Sequence, residues 1–261
     1  MVIIGKSQIA GGGTAKRLEF TYTGDYTDRG DGVVELLSTG VINFKKETAI
    51  DVFLVGGGSS GASGDTVYQK SAAGGAGGYT KTSLNVIPRA NTDYQIVIGA
   101  GGSKPTVQKS SGNNGGDTSA FGITAEGGKA SMDGYRRGGN GGSGGGGPDT
   151  NVDAVTGGSD GSNGARSGAG TGQGTTTREF GETDGKLYAG GGGGGTANSA
   201  YSYGGDGGGG GGGSYKGTYT EPTSGEPNTG GGGGGGFPGT TTGVYGAAGG
   251  SGIVCIRLHK D

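Results

Sequence analysis

The chain has 261 residues, of which 75 are glycine, and hydrophobic residues supply only 28 % of it. This glycine content is about four times the usual value of roughly 7 %, so an apolar core cannot extend along the whole chain, and α-helix is not expected because interior glycine costs about 1 kcal/mol per position. The net charge of −2 gives no basic surface for nucleic acid or for an anionic membrane.

Two blocks of ordinary composition in the first half of the chain predict β-strands. Residues 17–55 hold four short β-branched or aromatic runs separated by glycines. Residues 79–126 hold further runs with apolar residues on alternate positions, such as Tyr94, Ile96 and Ile98, as in half-buried strands. The last apolar run, 252–258, is expected to return to this sheet. We therefore predict a β-sandwich-like framework in a mainly β chain with irregular structure.

The glycine-rich segments carry a crude internal repeat. Nearly pure glycine runs of similar length occur at 190–195, 207–213 and 230–236, and such a repeat favours a stacked architecture. The physical model is the polyglycine II helix, extended and left-handed, with three residues per turn and a rise of about 3.1 Å per residue. The alternative is a flexible linker, although linkers usually mix glycine with serine and need no constant run length.

These patterns divide the chain into three parts. We expect N-terminal strands or an attachment region at 1–46, and a β framework at 47–130 that is completed by 250–261. A polyglycine II helix bundle with variable loops is expected as an insertion at 131–249.

Few residues in the sequence could support catalysis. The only histidine, His259, is expected to be a solvated tail residue, and the single Cys255 lies in an apolar run that favours a buried thiol and excludes an internal disulfide. The glycines of 56–61 match a dinucleotide-binding fingerprint, but no helix follows them and no acidic residue lies about 20 positions on. We expect no enzyme activity, no cofactor and no metal site, and only incidental calcium binding at 157–164 stays open.

No apolar run of about 18 residues is present, so membrane insertion is not expected. The apolar patch at the start of the sequence is too short, and too little preceded by positive charge, for a secretory signal.

The segments between and after the glycine runs have the composition of a binding surface. Tyrosine mixed with Ser, Gly, Thr and Asn resembles an antibody paratope, in which rigid rings supply contact area and small polar residues supply adaptable hydrogen bonds. The alternative is that the rings cover the ends of the bundle. The candidate receptor-binding residues are Tyr201, Tyr203, Tyr215, Lys216, Tyr219, Phe237 and Tyr245.

Several ordered strings in the sequence resemble a known group of proteins. They are DVFLVGGG at 51–58, YQIVIGAGG at 94–102, TTTREFGE at 175–182, LYAGGGGGG at 187–195 and GAAGGSGIVCIRL at 246–258. Together they frame most of residues 50–258 and are similar to the glycine-rich tail proteins of phages and prophages. That group includes the receptor-binding adhesin at the tip of T-even-like long tail fibres, although this chain has no tryptophan and no recognisable fibre-attachment segment.

The resemblance implies an adhesin on a virion tail or an extracellular particle surface. Its partners would be a bacterial cell-surface receptor, protein or glycan, and a tail-fibre or baseplate protein. A structural spacer or coat protein is the first alternative. Ice binding is the second, and it requires a flat face of small residues instead of bulky tyrosine loops.

Overall fold

The computed structural model describes residues 3–6, 18–66, 70–131, 136–148, 155–197, 202–216, 218–237 and 244–260. Its strands in chain order are β1 (Ile3–Lys6), β2 (Glu19–Tyr22), β3 (Tyr26–Asp28), β4 (Val33–Leu36), β5 (Gly40–Phe44), β6 (Ile50–Val55), β7 (Thr80–Val86), β8 (Asp93–Ile96), β9 (Thr118–Ala120), β10 (Ile123–Ala125), β11 (Ser214–Lys216), β12 (Thr218–Thr220) and β13 (Ile253–Leu258). Within the described ranges the only helical element is one 3₁₀ turn, Glu179–Gly181. The prediction of a mainly β chain without α-helix is confirmed.

Two antiparallel sheets form the framework. One has the strand order β1-β2-β5-β8 and the other the order β3-β4-β13-β6-β7, and two further hairpins are formed by β9 with β10 and by β11 with β12. Strand β13 pairs with β4 on one side and with β6 on the other. The prediction that the last apolar run returns to the sheet is therefore confirmed, and it takes a central position there.

The central strands of the five-stranded sheet are apolar on both faces, which explains their continuous hydrophobic sequence. On β6, Ile50, Val52 and Leu54 face the core shared by the two sheets. Phe53 and Val55 belong to a second cluster on the opposite face. The second cluster requires its own cover.

The glycine segments are extended and bond to neighbours with a period of three. In the first segment, the N–H groups of residues 56, 59 and 62 donate to the carbonyls of residues 79, 76 and 73. The N–H groups of residues 57, 60 and 63 donate to a second neighbour, at residues 116, 113 and 110. The N–H groups of residues 58, 61 and 64 donate to a third neighbour, at residues 250, 247 and 244. A chain with three residues per turn points successive residues about 120° apart. Each third residue therefore meets the same neighbouring segment.

The three pure glycine runs are mutual neighbours and run parallel to one another. From the first run, the N–H groups of Gly190, Gly193 and the following Thr196 donate to the carbonyls of Gly207, Gly210 and Gly213 in the second run. From the second run, Gly210 and Gly213 donate to Gly232 and Gly235 in the third run. From the third run, Gly232 and Gly235 donate back to Gly190 and Gly193. The three runs therefore form a closed triangle in cross-section. Each repeat of the glycine run in the sequence corresponds to one corner of this triangle.

The extended segments are not confined to the range 131–249. Residues 56–64, 72–78 and 99–116 bond in the same backbone network as the long glycine runs. Alanine and serine also occupy this network, and Ser59, Ser60 and Ala62 are buried within it, so a segment need not be pure glycine to join it. The framework and the extended segments are therefore interleaved along the chain.

Neighbouring positions of one run meet different surroundings. A Cβ added at Gly210 would overlap the carbonyl oxygen of Thr223, far inside van der Waals contact. A Cβ at Gly211 would lie 3.0 Å from the carbonyl oxygen of Ser202, and the next atom, Thr223 Oγ1, is 3.6 Å away. Gly210 is buried, whereas Gly211 is partly exposed.

We predict that Gly210→Ala destabilises the protein by about 3 kcal/mol, because a packed backbone must move and hydrogen bonds are lost. This corresponds to a fall in melting temperature of roughly 6–12 °C for a chain of this size. The matched control Gly211→Ala should change stability by less than about 1 kcal/mol, since alanine also restricts the unfolded chain. Thermal melts of the two variants compare them directly, and equal melting temperatures would contradict close packing on the Gly210 face.

Candidate functional site

The extended segments have one end at the sheets and one end far from them. Strand β6 continues directly into the first segment at Gly56, and this segment ends at the paired residues Asp65 and Lys70. At a rise of about 3.1 Å per residue, Asp65 lies about 28 Å beyond the sheet. The starts of the glycine runs lie at the sheet end, where a Cβ on Gly230 would be 2.5 Å from Val55 Cγ1.

The opposite end, which we call the distal end, gathers the described ends of several segments. It comprises Asp65, Lys70, residues 107–110, Thr196, residues 213–216 and 218–220, residues 236–237 and residues 244–245. Gly64 donates to the carbonyl of Val244, and Ser63 donates to the carbonyl of Ser110. Connections that are far apart in sequence therefore share one surface.

The described candidate receptor-binding residues lie at this end or beside it. Tyr201 lies outside the described residues. Tyr215 and Lys216 belong to β11 and Tyr219 to β12, and Tyr215 lies directly opposite Tyr219 in the hairpin. Tyr203 lies on the side of the bundle near this hairpin and is 59 % exposed.

The two remaining candidates are less accessible. Phe237 is 3 % exposed, and its ring centroid lies 6.4 Å from that of Tyr219. Its ring therefore supports the hairpin from the interior, as the alternative of end-covering aromatic residues expects. Tyr245 is partly buried.

A small groove lies beside Tyr203 and has a volume of about 80 Å³. We call it the tyrosine groove. Its lining includes Ser202, Tyr203, Gly211, Gly212, Ser214, Thr220, Glu221 and Thr223. The glycine run, Tyr203 and the segment that follows β12 each contribute to this lining.

A second and larger groove was not expected from the sequence. It has a volume of about 580 Å³ and lies between the β3–β4 turn, the end of β13 and residues 177–188, a segment that we call the strap. The strap contributes Phe180 and Tyr188 to the apolar cluster on the outer face of the five-stranded sheet. It is therefore the cover that this face requires.

Ion pairs hold the strap on the sheet. Arg257 donates from both terminal nitrogens to Glu182, at 2.9 and 2.8 Å, and from Nε to Asp51 at 3.1 Å. Arg29 donates to both oxygens of Glu179, at 3.1 and 2.8 Å. In bidentate pairs of this kind, two parallel hydrogen bonds fix the relative orientation of the two side chains in addition to the attraction between their charges.

Aromatic contacts accompany these ion pairs. The guanidinium of Arg257 lies 4.0 Å from the ring centroid of Phe180, within the range of a cation–π contact. The ring of Phe180 in turn lies 6.1 Å from that of Phe53 on β6.

His259 is not a solvated tail residue as the sequence suggested. Its Nδ1 lies 2.6 Å from Asp51 Oδ1, and its side chain is only 23 % exposed. The preceding strand β13 places this end of the chain against the sheet, which sequence position alone did not reveal.

Cys255 and two carboxylates lie close together beside the strap. Burial raises the pKa of the Cys255 thiol, which is fully buried, so the expectation of a buried thiol is confirmed. Oxygen atoms of Glu35 and Glu179 lie within 4.8 Å of the Cys255 sulfur. Both carboxylates already pair with Arg29, which makes this cluster a poor cation site.

A family model described as a glycine-rich domain matches residues 37–259. The match includes β5 to β13, the strap and every glycine run. No curated protein matches the chain. The described part of the chain contains no helix that could span a membrane.

The ion pair between Glu182 and Arg257 predicts a pH dependence of stability. The hydrogen bonds from Arg257 hold the pKa of Glu182 below its usual 4.5. A carboxyl group whose pKa is lower in the folded than in the unfolded state stabilises the protein at pH values above the unfolded pKa. This stabilisation is lost as the pH falls through the folded pKa. Glu182→Gln should therefore lower the melting temperature at pH 7. The difference in melting temperature between this variant and the native protein should shrink as the pH approaches about 2.

The matched control for this prediction is Glu19→Gln. Glu19 pairs with Lys46 at 3.7 Å on the surface, where both side chains are well exposed, and such pairs contribute about 0–1 kcal/mol. Melting curves between pH 7 and about pH 2 provide the measurement. If the melting temperature of Glu182→Gln differs from that of the native protein by the same amount at every pH, the charge of Glu182 does not stabilise the fold.

Proposed function

Because the chain belongs to the glycine-rich domain family, whose model spans both the sheets and the glycine runs, we propose that it is a receptor-binding adhesin of a phage tail or tail-like particle. It recognises a bacterial surface protein or glycan through the loops that connect its extended glycine segments, which we interpret as polyglycine II helices. The observation that carries this proposal is the gathering of these connections at one distal end, about 28 Å from the sheets.

The backbone of the extended segments supports this division of labour. Backbone N–H and carbonyl groups form the repeating hydrogen bonds between segments, and hydroxyl groups such as those of Ser59, Ser60 and Thr223 add a few more. The side chains of the connections therefore contribute little to holding the segments together. The connections can therefore differ in sequence while the segments keep their positions. Binding residues on loops above a rigid scaffold are a common arrangement in recognition proteins.

The chemistry of the distal end also supports a contact surface. The hairpin of β11 and β12 carries Tyr215 and Tyr219 as cross-strand partners, and Tyr203 is exposed nearby. Tyrosine supplies a large contact area at low cost in conformational entropy. Val107, which is 65 % exposed at the same end, adds apolar area.

The sheet framework suits attachment to a carrier. It lies at the end of the molecule opposite the distal surface, and its strap is fixed by buried and half-buried ion pairs. A tail-fibre or baseplate protein that binds there would leave the distal end free. Such a particle component would act at the virion tail or at another extracellular particle surface.

We predict that replacing Tyr203, Tyr215, Lys216 and Tyr245 with serine lowers binding to host cells by more than about tenfold, because aromatic anchors carry most of the binding energy of an interface. Phe237 is left unchanged because it is buried. The measurement is retention of the fluorescently labelled chain on a panel of bacterial strains, with a melting curve to show that the variant is folded.

The matched control replaces Leu84 and Ile87 with serine. These residues are 55 % and 58 % exposed but lie on and just after β7, at the framework. This variant should bind cells like the native chain. If the distal variant is folded and still binds, recognition lies elsewhere, and if the native chain binds no strain the alternative of a structural spacer is favoured.

A further inference from the structure

The tyrosine groove has a rigid floor. Gly211 and Gly212 form it, and the N–H of Gly212 donates to the carbonyl of Ser202 at 2.9 Å. Ser202 is itself fixed, because its hydroxyl donates to the carbonyl of Val155 at 2.7 Å. The groove therefore needs little ordering when a ligand binds, which lowers the entropic cost of association.

One wall of the groove is an exposed aromatic ring. Tyr203 is 59 % exposed. An exposed ring offers an apolar face with a polar edge. This surface matches a ligand that has both an apolar C–H face and hydroxyl groups.

The other wall presents polar groups. Thr220, Glu221 and Thr223 are exposed there. The hydroxyl oxygen of Thr223 accepts a hydrogen bond from the N–H of Gly211 at 2.7 Å, so its proton can be donated to a ligand. The carboxylate of Glu221 accepts hydrogen bonds but donates none when ionised.

The charge of the lining excludes several ligand classes. Among the described residues that line it, Glu221 is the one charged side chain. A phosphate or uronate group would meet a carboxylate without a balancing cation. The small volume of about 80 Å³ favours contact with one ring of a ligand over enclosure of a whole ligand.

We propose that the tyrosine groove binds one pyranose ring of an uncharged surface glycan. The apolar C–H face of the sugar stacks on the ring of Tyr203, while two of its hydroxyl groups bond to Glu221 and Thr223. This inference rests on the proposed function, since it names the receptor chemistry at the same distal region. It also assigns Tyr203 as the aromatic anchor of that contact.

The first experiment uses the purified full chain and does not depend on cells. Methyl glycosides of neutral hexoses and of N-acetylhexosamines are titrated up to about 100 mM while the backbone amide signals are followed by NMR, a concentration chosen because single-sugar affinities lie near the millimolar range. At least one glycoside should shift the signals of residues 203, 211–212 and 220–223. Absence of shifts at these residues with every glycoside overturns the inference.

Variants test the roles of the two walls. Tyr203→Phe keeps the ring face and should bind within about twofold of the native chain, whereas Tyr203→Ala should weaken binding by about tenfold or more. Glu221→Gln should weaken it by roughly threefold to tenfold through loss of a charged acceptor. Leu84→Ala, exposed on β7 at the framework, is the control and should bind normally. Equal binding by Tyr203→Ala and the native chain contradicts the assignment.

A cell assay separates the two proposals. Host cells are treated with periodate, which oxidises vicinal diols of surface glycans, and retention of the native chain should fall with treatment. If retention depends on Tyr203 but is unchanged by periodate, the receptor is a protein, and the glycan inference fails while the proposed adhesin function stands. If untreated cells retain no chain, the adhesin function fails, and the glycoside titration still decides the sugar-binding inference.

Discussion

The structure depends on the absence of Cβ atoms where one backbone packs against another. At Gly58, Gly61 and Gly234 an added Cβ would overlap a carbonyl group of a neighbouring segment. Without Cβ atoms, the N–H and carbonyl groups of each segment reach neighbours on three sides, and the backbone itself becomes the packing surface. Many of these segments are fully buried although they contain almost no apolar side chain.

Such a core has a narrow energetic margin. Ordering a glycine costs more conformational entropy than ordering any other residue, about 1–2 kcal/mol for the backbone, while a hydrogen bond returns about 1 kcal/mol net. The extended glycine segments bury few apolar side chains, whereas the apolar residues of the sheets form a conventional hydrophobic core. Strand β6 leads straight into the first segment, and the strap leads into the run that starts at Gly190. The framework therefore sets the starting position and direction of the extended segments.

The strap links the two kinds of core. Phe180 and Tyr188 bury the outer face of the five-stranded sheet, and the ion pairs of Arg29 and Arg257 fix the strap in place. Burial also raises the pKa of Tyr188, which keeps its hydroxyl protonated beside Glu35 and Glu179. Because the strap ends where a glycine run begins, the same contacts that close the sheet orient this part of the bundle. Side-chain chemistry is concentrated at the strap and at the distal end, and backbone bonding dominates between them.

The sequence by itself determined the classes of structure that this chain can form. Its glycine content excluded α-helix, the alternation in β8 and the apolar run of β13 predicted strands, and the apolar surroundings of Cys255 predicted a buried thiol. The three similar glycine runs predicted a repeat. These inferences succeed because local composition and periodicity decide them.

The tertiary structure decided which segments meet. Glycine has no side chain to encode a partner, so nothing in the runs indicated that Gly58 would bond to Gly250 or that three runs would form a parallel triangle. The contact of His259 with Asp51 and the burial of Phe237 likewise depend on residues far away in the sequence. Only the folded chain distinguishes an exposed Tyr203 from a buried Phe237, because both lie in similar glycine-rich surroundings and the packing of distant segments sets their exposure.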